Sequence, residues 1–236
     1  MKRALSISIA SLLGVATVVG PAVAQGATAG AAAKCTIRGT ARADVLVGTA
    51  GNDVICGFGG NDRISGGLGN DIIRGGAGKD RLYGDDGNDT VKGGGGPDRM
   101  FGGKGDDRMK GGAKKDRIQG NAGSDIIRGG RGRNVLAGGL GDDIVRGGPV
   151  ADTMRGAQGS DQLFGRGGND VVSGGMRDDF IVGGKGADRL LGRLGSDTLN
   201  GVDGVDGNDL LRGQGSSTDI DTCTADPGDT IQSCEA

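Results

Sequence analysis

The stretch GGLGNDIIRGGAGKDRLY, residues 66–83, decides the fold. It is one nine-residue phrase given twice. Glycine opens each phrase and returns at the fourth place, aspartate stands sixth, and an aliphatic residue stands eighth. The phrase continues without a gap in both directions, so that Gly39 to Asn200 divides into eighteen blocks of nine. Glycine opens all eighteen and holds the fourth place in fourteen. Aspartate holds the sixth place in seventeen, with Asn134 the exception. The eighth residue is aliphatic or methionine in every block, from Leu46 and Ile55 to Leu190 and Leu199.

Such a block predicts a turn over positions one to six and a short strand over seven to nine. Glycines permit positive φ and close approach of the backbone to a ligand. Strand side chains alternate, so the eighth points inward and the seventh and ninth point to solvent. One block cannot bury its single apolar residue, but stacked blocks can. Two blocks back to back make a coil of 18 residues with a strand on each side. Eighteen blocks therefore predict an all-β solenoid of about nine coils, roughly 43 Å long at about 4.8 Å per coil.

Composition agrees. Of 236 residues 55 are glycine, 34% are hydrophobic and 2% are aromatic, which excludes a thick core of the ordinary kind. Composition alone is compatible with disorder, but eighteen blocks in register outweigh that. The acids are of one type: Glu235 is the sole glutamate among 30 acidic residues. A site of fixed dimensions admits only the shorter side chain.

Residues 1–24 read as a secretory leader. Lys2 and Arg3 form its charged start, Ala4 to Val19 is mostly apolar, and Ala22-Val23-Ala24 is a small-residue cleavage site ahead of Gln25. The apolar run is short for a membrane anchor, and no later segment predicts a membrane span. Removing Lys2 and Arg3 leaves 26 basic and 30 acidic residues, a mature net charge of about −4. Cys35, Cys56, Cys223 and Cys234 flank the repeats. Export makes disulfides the expected state, with three pairings possible. Zinc is disfavoured by wide spacings and the lack of histidine.

In its pattern G-G-x-G-x-D-x-U-x the chain resembles the RTX, or haemolysin-type, calcium-binding repeats. The resemblance covers the eighteen blocks and the degenerate block after them. It implies a right-handed parallel β-roll with calcium between successive turns on each edge. The segments CTIRGTARADVLVGTAGNDVICGFGGND (35–62) and DTCTADPGDTIQSCE (221–235) are similar to small secreted calcium-binding proteins of actinobacteria. Many RTX proteins carry a C-terminal export signal and no cleaved leader. This chain has a leader, so the usual type I export does not follow from the resemblance.

Calcium takes six to eight oxygens. Stacking places aspartates 18 residues apart on one edge, and a column of carboxylates about 4.8 Å apart repels itself unless divalent ions interleave. A lone aspartate would close an Asx turn; two ladders of them point to metal. The expected ligands are Asp53, Asp62, Asp71, Asp80, Asp89, Asp98, Asp107, Asp125, Asp143, Asp161, Asp170, Asp179, Asp188 and Asp197. The odd-numbered blocks are interrupted at Arg42, Lys114, Asn134 and Val150, the even ones only at Arg177. Gaps are therefore expected on the odd edge near Lys114 to Val150. One inward side chain per nine ordered residues is too little apolar burial to offset backbone entropy. Ions must supply the remainder, and folding should depend on calcium.

A solenoid needs caps. The expected organisation is a cap segment over 25–38, the roll over 39–212 and a disulfide-containing cap over 213–236. Local pairs Cys35–Cys56 and Cys223–Cys234 would close the ends. The insertion in GVDGVDGNDLLR (201–212) breaks the register and predicts fraying there. No histidine is present to act as a base and outward serines such as Ser65 and Ser173 lack one, so no enzyme is expected. Arg63, Arg81, Arg99 and Arg117 would form one basic column, and Arg74, Lys92, Lys110, Arg128 and Arg146 a second on the opposite sheet. They either keep the faces soluble or bind an anionic extracellular polymer such as a polysaccharide. Nucleic acid is not expected, because no aromatic residues interleave with the columns.

Overall fold

The computed structural model describes residues 34–205, 208–215 and 219–234, together with the two-residue strand Ala16–Thr17 beside Asp44–Val47. The rest of the leader lies outside the described residues. All strands run parallel in two sheets, of 12 and 11 strands, and successive strands alternate between them. From Ile37 to Asn200 each strand pairs with the one 18 residues on: Arg63 with Arg81 and Ile64 with Leu82 in one sheet, Ile72 with Thr90 and Ile73 with Val91 in the other. The chain is a parallel β-roll of about eleven coils.

The eighth residue of every block faces inward. Leu46, Ile55, Ile64, Ile73 and their successors to Leu199 are at most 2% exposed. They form one file of apolar side chains between the sheets.

The strands are longer than a turn over positions one to six would allow. Most cover six residues, such as Arg63–Leu68 and Phe180–Lys185, and so run through position three of the next block. The opening glycines are extended ladder residues. Gly48 donates its amide to Ser65 O at 2.8 Å, and Leu68 donates to Thr49 O at 3.1 Å. The sharp turn is confined to positions four to six. There Gly69 needs its φ of +101°, and at position two Gly67 holds +105°, conformations in which glycine carries no steric penalty.

The insertion at 201–212 does not fray the roll. Leu211 pairs with Leu190 across 21 residues, and Cys223 pairs with Leu199 across 24. The ladder resumes its register beyond the extra residues, of which 206–207 and 216–218 lie outside the described residues. Thr230–Gln232 is the last strand and pairs with Leu210–Arg212, so coils continue past residue 212. Disulfides Cys35–Cys56 and Cys223–Cys234 lie at the two ends, with Cα–Cα distances of 5.9 and 5.8 Å.

The outward faces differ from expectation in one respect. Position nine shares its face with position seven, so Tyr83 and Phe101 stand beside the Arg63–Arg117 column. Their rings stack at 5.2 Å with 8° between planes, and the Arg63 guanidinium lies 4.7 Å over Tyr83. Both faces of Tyr83 are thereby covered, which leaves it no free face for a stacking base.

Candidate metal centre

The sixth-position aspartates form the two expected ladders, and every one is buried. Each uses one carboxylate oxygen in the same way. Oδ1 accepts the backbone N–H of the aspartate one coil earlier. Asp53 donates to Asp71 at 2.7 Å, Asp71 to Asp89 at 2.7 Å, and on the other edge Asp62 to Asp80 at 2.9 Å. The pattern carries through the insertions, from Asp188 to Asp209 at 2.8 Å and from Asp197 to Asp221 at 2.9 Å.

The second oxygen has no donor. Among the described residues, sixteen aspartates from Asp62 to Asp209 hold a buried Oδ2 without a hydrogen-bond partner. A buried polar atom left unsatisfied costs free energy comparable to a lost hydrogen bond, and more if it carries charge. These oxygens converge on other oxygens. A Cβ built on Gly102 would lie 2.1 Å from Asp107 Oδ2 and 2.5 Å from Gly120 O. The same cradle recurs at Gly66, between Asp71 Oδ2 at 2.3 Å and Gly84 O at 2.4 Å. Glycine opens each block because no side chain fits between the carboxylate and the next coil's carbonyl.

Burial pushes these carboxyls upward, and the like charges one coil above and below add to it. Asp143 and Asp179 rise to about 8. Asp71, Asp98, Asp107, Asp170 and Asp197 rise to about 7. The amide bond to Oδ1 opposes the rise without cancelling it. At Asp152 the Gly148 amide also draws the carboxyl down. A ladder of buried carboxylates without counter-charge is therefore poised to take protons or cations.

Asn134 reveals what the second atom meets. Its Oδ1 keeps the ladder, accepting from Asp116 N at 3.0 Å, and its Nδ2 donates to Gly132 O at 2.6 Å. A carboxylate oxygen at that spot would face a carbonyl oxygen. A cation between them, or a proton on the carboxyl, satisfies both. The donor set is hard oxygen, which suits calcium and not a soft-ligand metal. No three acidic, thiol or imidazole side chains converge on one point among the described residues.

Four of the expectations need adjustment. Asp53 has protein donors on its second oxygen, Thr49 N at 2.7 Å and Thr49 Oγ1 at 2.8 Å, and Thr40 does the same for Asp44. Threonine at position two thus satisfies the first coil without metal. Asp116, Asp152 and Asp209, outside the expected ligand set, have the same orphaned oxygen as their neighbours. A second ladder was not foreseen. Position-five Asn and Asp side chains accept the amide of position five in the next coil, as from Asn70 to Asn52 and from Asp106 to Asn88, both at 2.8 Å. On the even edge position five is Asn, Asp or Ser in every block from Asn52 to Ser196. That run was the available signal.

The profile of the RTX calcium-binding nonapeptide repeat matches in seven segments that together cover residues 38–207. The chain belongs to the RTX calcium-binding repeat family. No curated protein matches it. The match runs through Asn134 and the interrupted blocks of this RTX chain as well as the regular ones. It ends at residue 207, near the insertion, although the RTX ladder itself continues to Asp209 and Asp221.

Asn134 gives a local test. Asn134→Asp should replace the amide clasp by a carboxylate and raise the calcium count of the saturated protein, read by native mass spectrometry. An unchanged count would mean that the second oxygen does not hold metal.

Proposed function

We propose that this RTX chain is a secreted calcium-binding protein that folds on calcium into a repeat scaffold, without catalytic activity. The observation that carries the reading is the row of sixteen buried aspartate oxygens without donors. In this reading Asp62, Asp71, Asp80, Asp89, Asp98, Asp107, Asp125, Asp143, Asp161, Asp170, Asp179, Asp188 and Asp197 ligate calcium. Asp116, Asp152 and Asp209 join them, and carbonyls such as Gly120 O complete each shell. Calcium supplies positive charge between carboxylates that otherwise repel. The chain's own work is to hold Oδ1 on the preceding amide and so aim Oδ2 at the ion. The leader at 1–24 and two disulfides support an extracellular location.

A calcium titration of the mature protein followed by circular dichroism tests this. Millimolar calcium should produce β-structure from a largely unfolded chain. A titration that changes nothing would sink it.

A second reading has its own observation. The basic residues do stand in register: Arg81 beside Arg63 and Arg99 on one sheet, Lys110 beside Lys92 and Arg128 on the other. Among the described residues the only ion pair is Lys104–Asp86 at 2.9 Å. Cations stacked in register in this way favour an anionic extracellular polysaccharide as partner.

A further inference from the structure

The turns of the two edges carry opposite charge. At positions one to five of the eighteen blocks, the acids are Asp85, Asp86, Asp106, Asp142 and Asp178, all on even blocks. The odd blocks have none there. They carry eight cations at these positions against three on the even blocks. Where the odd edge meets the sheet of Lys110 and Arg128, a groove of about 640 Å³ runs across the coils. Lys110, Arg128, Arg131, Arg166 and Lys185 line it, with glycines and Pro149 as its floor and no acid or aromatic residue. All five cations are exposed. Pro149 follows Ile144–Arg146, a strand of three residues where its neighbours Ile126–Gly130 and Gln162–Gly167 have five and six. Its missing amide ends the ladder early.

We propose that this groove binds a linear acidic polysaccharide along the roll axis. The inference rests on the polyanion reading above and gives it a place. Five unpaired cations stand on four of five successive coil levels, two of them at the level of Ile126–Gly130 and none at that of Ile144–Arg146, and span roughly 19 Å at about 4.8 Å per coil. That row suits a chain of regularly spaced carboxylates rather than one small anion. Arginine offers each carboxylate a two-pronged donor. Nucleic acid fits worse, because the groove has no ring on which a base could stack. In the calcium reading the ion also holds the roll folded, so the groove is formed in the calcium-loaded protein.

The test uses the calcium-saturated mature protein and hyaluronan, a soluble linear polysaccharide with one carboxylate in each disaccharide, at low salt, with binding measured calorimetrically. One variant changes Arg128, Arg131, Arg166 and Lys185 to Gln; a charge-matched variant changes Lys79, Arg155, Arg177 and Arg189, exposed cations outside both columns and the groove, to Gln. The groove variant should lose at least about tenfold in affinity, and the other less than about threefold. Equal losses would leave a polyanion binder without this groove and overturn the proposal. So would absence of binding, or equal binding of single-stranded DNA. Dimerisation of the free protein that the groove variant abolishes would assign the groove to a second copy's acidic edge. Circular dichroism of each variant in calcium reports separately whether the calcium reading itself holds.

Discussion

Chelating calcium from the mature protein at pH 8 should abolish most of its β-structure. The file of inward side chains is one residue wide on each sheet, and it stands next to buried carboxylates that repel one another. Binding free energy is then folding free energy. Acid should partly substitute for the ion. The ladder carboxyls are raised in the folded state, Asp143 and Asp179 to about 8 and Asp107 to about 7. A raised carboxyl binds its proton more tightly folded than unfolded. The metal-free roll is therefore least stable above pH 8 and gains stability as pH falls toward about 4, where unfolded carboxyls also protonate. Calcium binding should weaken over the same range, because protons compete for the same oxygens. Circular dichroism in chelator at pH 8 and pH 5 checks both signs. A chelated spectrum that stays β-rich and unchanged between them would contradict the account.

The second large effect is expected from a single methyl group. Gly102→Ala places a Cβ 2.1 Å from Asp107 Oδ2 and 2.5 Å from Gly120 O. It fills the space assigned to the ion and presses one coil against the next. Overpacking of this kind typically costs about 1–3 kcal/mol, and the lost ion adds to it. Gly95→Ala, nearby, is the control. A Cβ there meets nothing closer than 3.6 Å. Thermal unfolding in saturating calcium should show a clear drop for the first and little change for the second. Equal melting would mean that the glycine cradle is not a metal site.

The solenoid was legible in the sequence because its period is local. Eighteen inward residues in strict register leave no other way to bury them, and Leu46 to Leu199 are all where the period puts them. Strand length was not legible. Glycine at positions one and two reads as turn, yet Gly66 and Gly67 belong to the strand Arg63–Leu68, because close stacking of coils excludes a side chain there. The two carboxylate ladders were legible, and the contacts of individual carboxylates less so. Lys114 and Val150 in the turns suggested that Asp116 and Asp152 were lost, but the ladder amide holds those carboxylates in place whatever occupies position four. Thr49 taking the second oxygen of Asp53 depends on the shape of the first coil. The fraying expected at 201–212 treated a change of spacing as a break. The ladder resumes beyond the extra residues, and Asp209 and Asp221 return to their columns.

The central claim is that the orphaned carboxylate oxygens hold calcium. Anomalous diffraction from crystals grown in calcium tests it most directly. Peaks are expected within about 2.3–2.6 Å of Oδ2 of Asp71, Asp107, Asp143 and their ladder neighbours, and none at Nδ2 of Asn134. An intact roll whose aspartate oxygens carry no such peaks would contradict it.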